Sequence, residues 1–331
     1  MSGAVEWCAT IALVVALIGF DFWAQVRRPH EPDFRSALRW TGIYVGLALI
    51  FGASMILWKD AESATAFIAG YLTEWSLSVD NLFVFLVILS RFAVPAVYRQ
   101  RVLLFGVALA LVLRGLFIVA GAAALAHFSW VFYLFGFFLL WTAVTVAREG
   151  PEKDEEYHEN KAMVLIRRLV RSTPEYHGGA LVVRRAGRRL VTPLLLVMIA
   201  VGTTDVLFAL DSIPAIFGLT RDPYIVFAAN AFALMGLRQL YFVVHGLLSR
   251  LIFLSYGLAA ILAFIGVKLV FEALHENSLP FVNGGEPWEG APTISTGLSL
   301  ATILGTLAVA ATASLVVSAR RARNALRVPG A

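Results

Sequence analysis

Charge is scarce in this chain. Only 15% of its 331 residues are Asp, Glu, Lys or Arg, whereas 59% are hydrophobic. A soluble globular domain carries about a quarter charged residues, so that class is excluded and a polytopic membrane protein is indicated. Cysteine is nearly absent. Cys8 stands alone, which rules out both a disulfide within the chain and a cysteine metal site. No GxxxxGK[ST] phosphate loop occurs, which argues against an ATPase of that type. The first apolar run lacks a positive leader, carries Glu6, and shows no small-residue cleavage site before Arg27 and Arg28. It reads as a retained helix and not a signal peptide. The net charge of +5 does not point to nucleic acid, because the basic residues fall in short segments beside apolar runs.

What is present is a series of apolar stretches of about 20 residues, the length that crosses a bilayer. They fall at about 5–23, 38–58, 63–89, 100–125, 128–147, 192–218, 223–245, 250–272 and 294–318. Nine membrane helices are therefore expected in a single all-α membrane domain over 1–331. With the N-terminus outside, 22 of the 27 Lys and Arg lie on the inner side, and only Lys59 and Arg221 lie outside. That bias predicts a cell-membrane protein with a cytoplasmic C-terminus. The segment 148–191, acidic and then strongly basic, is expected to be a solvated cytoplasmic connector with a lipid-facing basic end, with His158 and His177 as minor metal candidates. The outer loop 273–293, with its NGGEP turn chemistry, is expected to be irregular.

Two of the spans share a device. EWSLSVDN at 74–81 and DVLFALDS at 205–212 each set a carboxylate, five residues and an aspartate inside an apolar run. Intramembrane carboxylates are costly unless they face a cavity, a partner or an ion, so Glu74, Asp80, Asp205 and Asp211 form a functional hypothesis. The likeness continues downstream: each motif helix is followed by a span with a late arginine, Arg114 or Arg238, and by a third apolar span. Repeat one covers about 63–147 and repeat two about 192–272, flanked by helices in 5–58 and 294–318. Three is odd, so the second unit enters the membrane with opposite polarity, the inverted repeat on which many secondary transporters are built.

Six residues of α-helix advance about 9 Å and rotate about 240°, so the two acids of a motif do not share a face. Seven residues do return to one face, pairing Glu74 with Asn81, Thr73 with Asp80, Asp205 with Ser212, and Thr204 with Asp211. Pro214 cannot donate to the Leu210 carbonyl, which frees a backbone oxygen. Carboxylates, amides and hydroxyls form a hard oxygen set suited to Mg²⁺, Ca²⁺ or Mn²⁺, with neither cysteine nor histidine among them. Four carboxylates against two guanidiniums leave two negative charges, which one divalent cation neutralises. No prosthetic group is expected; the metal ion is cargo, and membrane lipid is the other partner.

Asp80 and Asp211 are expected at the centre, since each is followed by a neutral donor, Asn81 or Ser212. Glu74 and Asp205 are expected toward opposite sides of the membrane as entry and exit steps, and Arg114 and Arg238 as counter-charges to the unloaded acids. Purely structural readings suit other polar residues. Lys268 and Glu272 are spaced as an i,i+4 pair, Asp21 closes the first helix at the interface, and His127 and His245 sit at helix ends.

The motifs EWSLSVDN and DVLFALDSIPAIFGLT, the nine spans and the arginines of the middle helices resemble the TerC/Alx family of integral membrane proteins. The resemblance covers about residues 5–320 and implies that Glu74, Asp80, Asn81, Asp205 and Asp211 line a metal route. Its Alx branch is associated with manganese export, so the resemblance implies a non-enzymatic Mn²⁺ exporter, proton coupling being an open possibility. Alx members commonly carry a glutamate three residues before the first aspartate of the second motif, where this chain has Gly202. The family also includes members linked to tellurite resistance and to membrane-protein biogenesis, so a metal-supply or assembly role without net transport stays open. An intramembrane aspartyl protease would also need two aspartates on separate helices, but SVDN and ALDS lack the glycine-rich GxGD context of such enzymes.

Overall fold

In the computed structural model, residues 3–27, 34–149, 172–173, 175–185, 188–247, 253–277, 279–280, 282–288 and 290–325 are described. Among them are nine α-helices: α1 Gly3–Arg27, α2 Phe34–Trp58, α3 Ala61–Arg91, α4 Ala96–His127, α5 Val131–Glu149, α6 Pro193–Phe217, α7 Pro223–Leu247, α8 Leu254–His275 and α9 Thr296–Ala325. Each expected span is met by one helix. Among the described residues eight of the nine are long and apolar enough to cross a bilayer, and α7 carries a shorter apolar stretch, Pro223–Leu237.

Helix starts follow from local chemistry. Asp60 caps α3, with Oδ1 accepting from the Ser63 backbone N–H at 2.6 Å and Oδ2 from the Ser63 hydroxyl at 3.0 Å. Pro193 opens α6 where its missing N–H costs nothing. Asp222 Oδ1 accepts from the Tyr224 N–H at 2.9 Å as α7 begins.

Turns expected on the same side of the membrane lie together. At one end Lys59 bonds Asp222 at 2.6 Å, Arg221 bonds Glu276 at 2.5 Å and also Glu272, and Tyr133 donates to Asn277 at 3.2 Å. At the other end the Tyr176 hydroxyl donates to the Phe92 carbonyl at 2.8 Å and Arg101 Nη1 to the Gly179 carbonyl at 2.9 Å. Lys268 and Glu272 interact through charge across one turn, but the close partners are others: Lys268 donates to Ser299 Oγ at 3.3 Å, while Glu272 pairs with Arg221 from the α6–α7 turn.

The described part of the connector, from Ser172 on, holds more regular structure than expected. Strands β1 Val182–Arg185 and β2 Arg188–Val191 pair antiparallel, with Val182 opposite Val191 and Arg185 opposite Arg188. Leu181, Tyr176 and Val191 pack against the core formed by α3, α4 and α6, which holds this hairpin to the bundle. The Asn277 side chain organises the loop at the other end, donating to the carbonyls of Val282 and Glu286 and accepting from the Leu279 N–H.

The motif helices are central. The apolar window of α3 is 69% buried and that of α6 is 56%, against 11% for α1. Outward faces of the outer helices carry side chains such as Leu57, Ile50, Val309 and Trp141 in the open, an apolar surface that suits lipid. Between the two three-helix groups, α3 packs on α6 and α7, α4 on α6 and α7, and α5 on α8. Exchanging α3, α4, α5 for α6, α7, α8 carries this set of contacts onto itself. The α5–α8 crossing is close because Gly136 and Gly266 face each other: a Cβ on either would lie 3.0 Å from the other's carbonyl oxygen.

Candidate ion site around Arg114

Arg114 extends from α4 into the space between the motif helices and is 1% exposed. Its guanidinium joins four helices. Nε and Nη2 donate to Oδ2 and Oδ1 of Asp205 on α6, at 3.3 and 3.2 Å. Nη1 donates to Ser212 Oγ on α6 at 3.2 Å and to Asn230 Oδ1 on α7 at 2.8 Å, and it contacts Glu74 Oε1 on α3. Glu74, Asp205, Ser212 and Asn230 are all buried. Two carboxyl groups thus share one guanidinium.

Two acids for one arginine exceed what locking the helices requires, and burial makes the surplus costly. Neither carboxylate oxygen of Glu74 has a hydrogen-bond partner, nor have the buried hydroxyls of Ser76 and Ser78 or the Asn230 Nδ2 group. Ser78 is one turn beyond Glu74 and Asn81 a further turn, so the three lie along one stripe of α3. Each unpartnered buried group costs about 1–3 kcal/mol, which is unusual outside sites that take water or ions. Among the described residues no three side chains drawn from His, Cys, Asp and Glu converge as a metal cluster. The oxygens beside the carboxylate pair come from an amide and a hydroxyl, which suits a hard cation better than a soft one.

The sequence-predicted residues divide. Glu74, Asp205, Ser212 and Arg114 meet, and Asn81 and Thr204 are buried on the same two helices. The expectation that Glu74 and Asp205 lie toward opposite sides of the membrane does not hold, because one guanidinium reaches both. Asp211 is partly exposed, on a face of α6 away from Asp205 and beside the exposed Leu207 and Leu210. Its neighbour Leu210 turns its side chain outward, while Pro214 is buried. The side chains of Asp80, Arg238, Asp21 and His245, and His158 altogether, lie outside the described residues. His177 is held by the connector, its Nδ1 3.0 Å from the Glu175 carbonyl. Gly202 packs against α4, where a Cβ would lie 2.5 Å from Leu109 Cδ2; a larger residue there requires Leu109 to move. Asn230 is the site residue that the motif search misses. A lone amide eight residues before Arg238 in an apolar span was the available signal.

Comparison with known proteins places the chain among integral membrane proteins. The uncharacterized membrane protein Rv2723 of Mycobacterium tuberculosis is 49% identical over 330 residues, covering 98% of this chain and 82% of the relative. The uncharacterized membrane protein STKORF319 of Myxococcus xanthus is 45% identical over 264 residues, 80% of this chain and 82% of the relative. The putative membrane-bound redox modulator Alx of Escherichia coli K12 is 40% identical over 275 residues, 80% of this chain and 85% of the relative. No solved structure matches. Residues 59–322, from the start of α3 through most of α9 and so including every residue of the Arg114 cluster, match the description "Integral membrane protein TerC family", and the chain belongs to that family.

Proposed function

We propose that this protein is a secondary transporter of a hard divalent cation, that Mn²⁺ is its cargo, and that it moves the ion outward across the cell membrane. The observation that carries the reading is the convergence of Glu74 and Asp205 on Arg114 inside a bundle of membrane-spanning helices. One carboxylate comes from each three-helix unit, at the interface where inverted repeats place their substrate. The exchange-invariant packing of α3–α5 with α6–α8 supports that inverted arrangement.

In the empty site the guanidinium supplies the counter-charge. An ion entering between the acids replaces it as the cation that Glu74 and Asp205 hold, with Asn81 and the Leu210 carbonyl loosened by Pro214 as oxygen donors along the route on either side. Asp80 and Asp211, a turn and a half farther along α3 and α6, serve as the steps on either side of this centre. Alternate rocking of the two units would then open it to one side at a time, with the N-terminus outside and the C-terminus in the cytoplasm. The Alx relatives are named redox modulators, but the single cysteine of this chain, exposed on α1, cannot close a disulfide within it, and metal transport remains the better reading.

Sealed proteoliposomes containing only this protein test the proposal. Mn²⁺, Ca²⁺ and Mg²⁺ fluxes are compared with and without a pH gradient, for the parent protein and for Glu74→Gln and Asp205→Asn. Loss of Mn²⁺ flux in both folded variants is expected; parental flux in both would remove the site, and no flux from the parent would remove the function.

A further inference from the structure

Arg114 Nη1 carries two hydrogens and gives them to Asn230 Oδ1 and Ser212 Oγ, while a third acceptor, Glu74 Oε1, contacts the same nitrogen as an ion pair without accepting a hydrogen bond. One acceptor is therefore surplus while the guanidinium holds Glu74. Of the two neutral acceptors, Asn230 is the costlier to keep there. Its residue is 1% exposed and its Nδ2 group finds no partner, so its bond to Arg114 is the return visible for burying a whole amide. Asp205 already meets Nε and Nη2, and the charge of Arg114 needs no neutral acceptor as well.

We propose that Asn230 and Ser212 hold Arg114 Nη1 when Glu74 leaves it for a divalent cation. The inference rests on the transport reading and assigns Asn230, which no sequence motif marks, as a positioning residue of that site. Glu74 is the carboxylate that exchanges between guanidinium and ion. As it turns away, both Nη1 hydrogens keep acceptors, one on Asn230 and one on Ser212, so the arginine never becomes a buried donor without partners. Asp205 can give Oδ1 to the ion and keep Oδ2 on Nε, leaving the guanidinium beside the cation and not in its ligand shell. Ser212 is seven residues beyond Asp205 on α6, about 10 Å along the helix, so the berth lies toward the end of the bundle that carries the Lys59–Asp222 pair. Without it, an ion that takes Glu74 must leave part of the guanidinium unsatisfied in the membrane interior, and ion binding weakens.

The test is Mn²⁺ titration calorimetry on the purified, detergent-solubilised full chain, with Ca²⁺ and Mg²⁺ as comparison ions. The proteins are the parent, Asn230→Ala, Arg114→Gln and the double variant. Asn230→Ala should weaken Mn²⁺ binding about tenfold, the size of one hydrogen bond to a charged group. In the Arg114→Gln background the same change should have less than about a twofold effect, because no guanidinium is left to hold. Ser212→Ala should act in the same direction by about threefold, and it carries the test alone if Asn230→Ala does not fold. Equal weakening in both backgrounds would make Asn230 an ion ligand or a general support and overturn the proposal. A lower melting temperature with unchanged Mn²⁺ affinity would overturn it as well. A folded parent that binds none of the three cations would instead remove the transport reading, and this one with it.

Discussion

Lys59 Nζ lies 2.6 Å from Asp222 Oδ2, tying the α2–α3 turn to the α6–α7 turn at the end of the bundle where the N-terminal Glu6 also approaches, at 3.8 Å. Partial burial lowers the Lys59 pKa, but the Asp222 carboxylate more than offsets it by hydrogen bond and charge, and the net direction is upward from 10.5. A raised folded-state pKa gives stability that is complete below the unfolded value and is lost as the pH rises through the folded one. Lys59→Met should therefore unfold at a lower temperature than the parent at pH 7, by an amount matching about 1 kcal/mol or less for a partly exposed pair. The difference should close in alkaline solution as the parent loses its ammonium. Thermal melts across pH 7 to 11 check it; a gap that does not narrow would mean that the methionine acts through packing.

That pair and the Tyr176–Phe92 contact lie at opposite ends, so the bundle has two chemically distinct faces. Ser172 and Glu286 are exposed, one beside each face. In a Cys8→Ala background, single cysteines at these positions should differ toward an impermeant thiol reagent on intact cells. Position 286 should label and position 172 should label only after lysis. Labelling of 172 alone would reverse the proposed orientation.

Removing the guanidinium should expose its structural task. Arg114→Gln leaves Glu74 and Asp205 buried without their cation, a loss of about 3–5 kcal/mol when one partner of a buried ion pair is taken away. Millimolar Mn²⁺ should raise the melting temperature of this variant more than that of the parent, because the ion takes the place that the arginine vacated. Equal shifts in the two proteins would place Mn²⁺ elsewhere.

The α5–α8 crossing should tolerate no side chain at its closest point. At Gly136 a Cβ would lie 2.8 Å from Val270 Cγ2 and 3.0 Å from the Gly266 carbonyl, so Gly136→Val should cost about 1–3 kcal/mol or more through overpacking. Gly305, with open space where its Cβ would stand, should accept alanine with no loss. Fluorescence-detected size exclusion after graded heating compares the two.

By itself the sequence determined the number of helices and the turns between them, because each apolar run is long enough for a bilayer and the basic residues interrupt the runs on alternate sides. It also marked Glu74, Asp205 and Arg114 as purposeful, since a charge in an apolar span carries a cost that must be met. Only the tertiary structure decided that Glu74 meets Asp205. Helical periodicity fixes the angle between two side chains on one helix, but not which angle faces the neighbouring helix, and each motif offers two acids about 240° apart. The same limit hid Asn230, whose role depends on α7 bringing its amide to an arginine of α4. It also hid the closer partner of Glu272: the i,i+4 rule points to Lys268, whose charge does act on it, whereas packing brings Arg221 from another turn. Local spacing sets what a side chain can do, and the packing of helices far apart in sequence sets which partner it does it with.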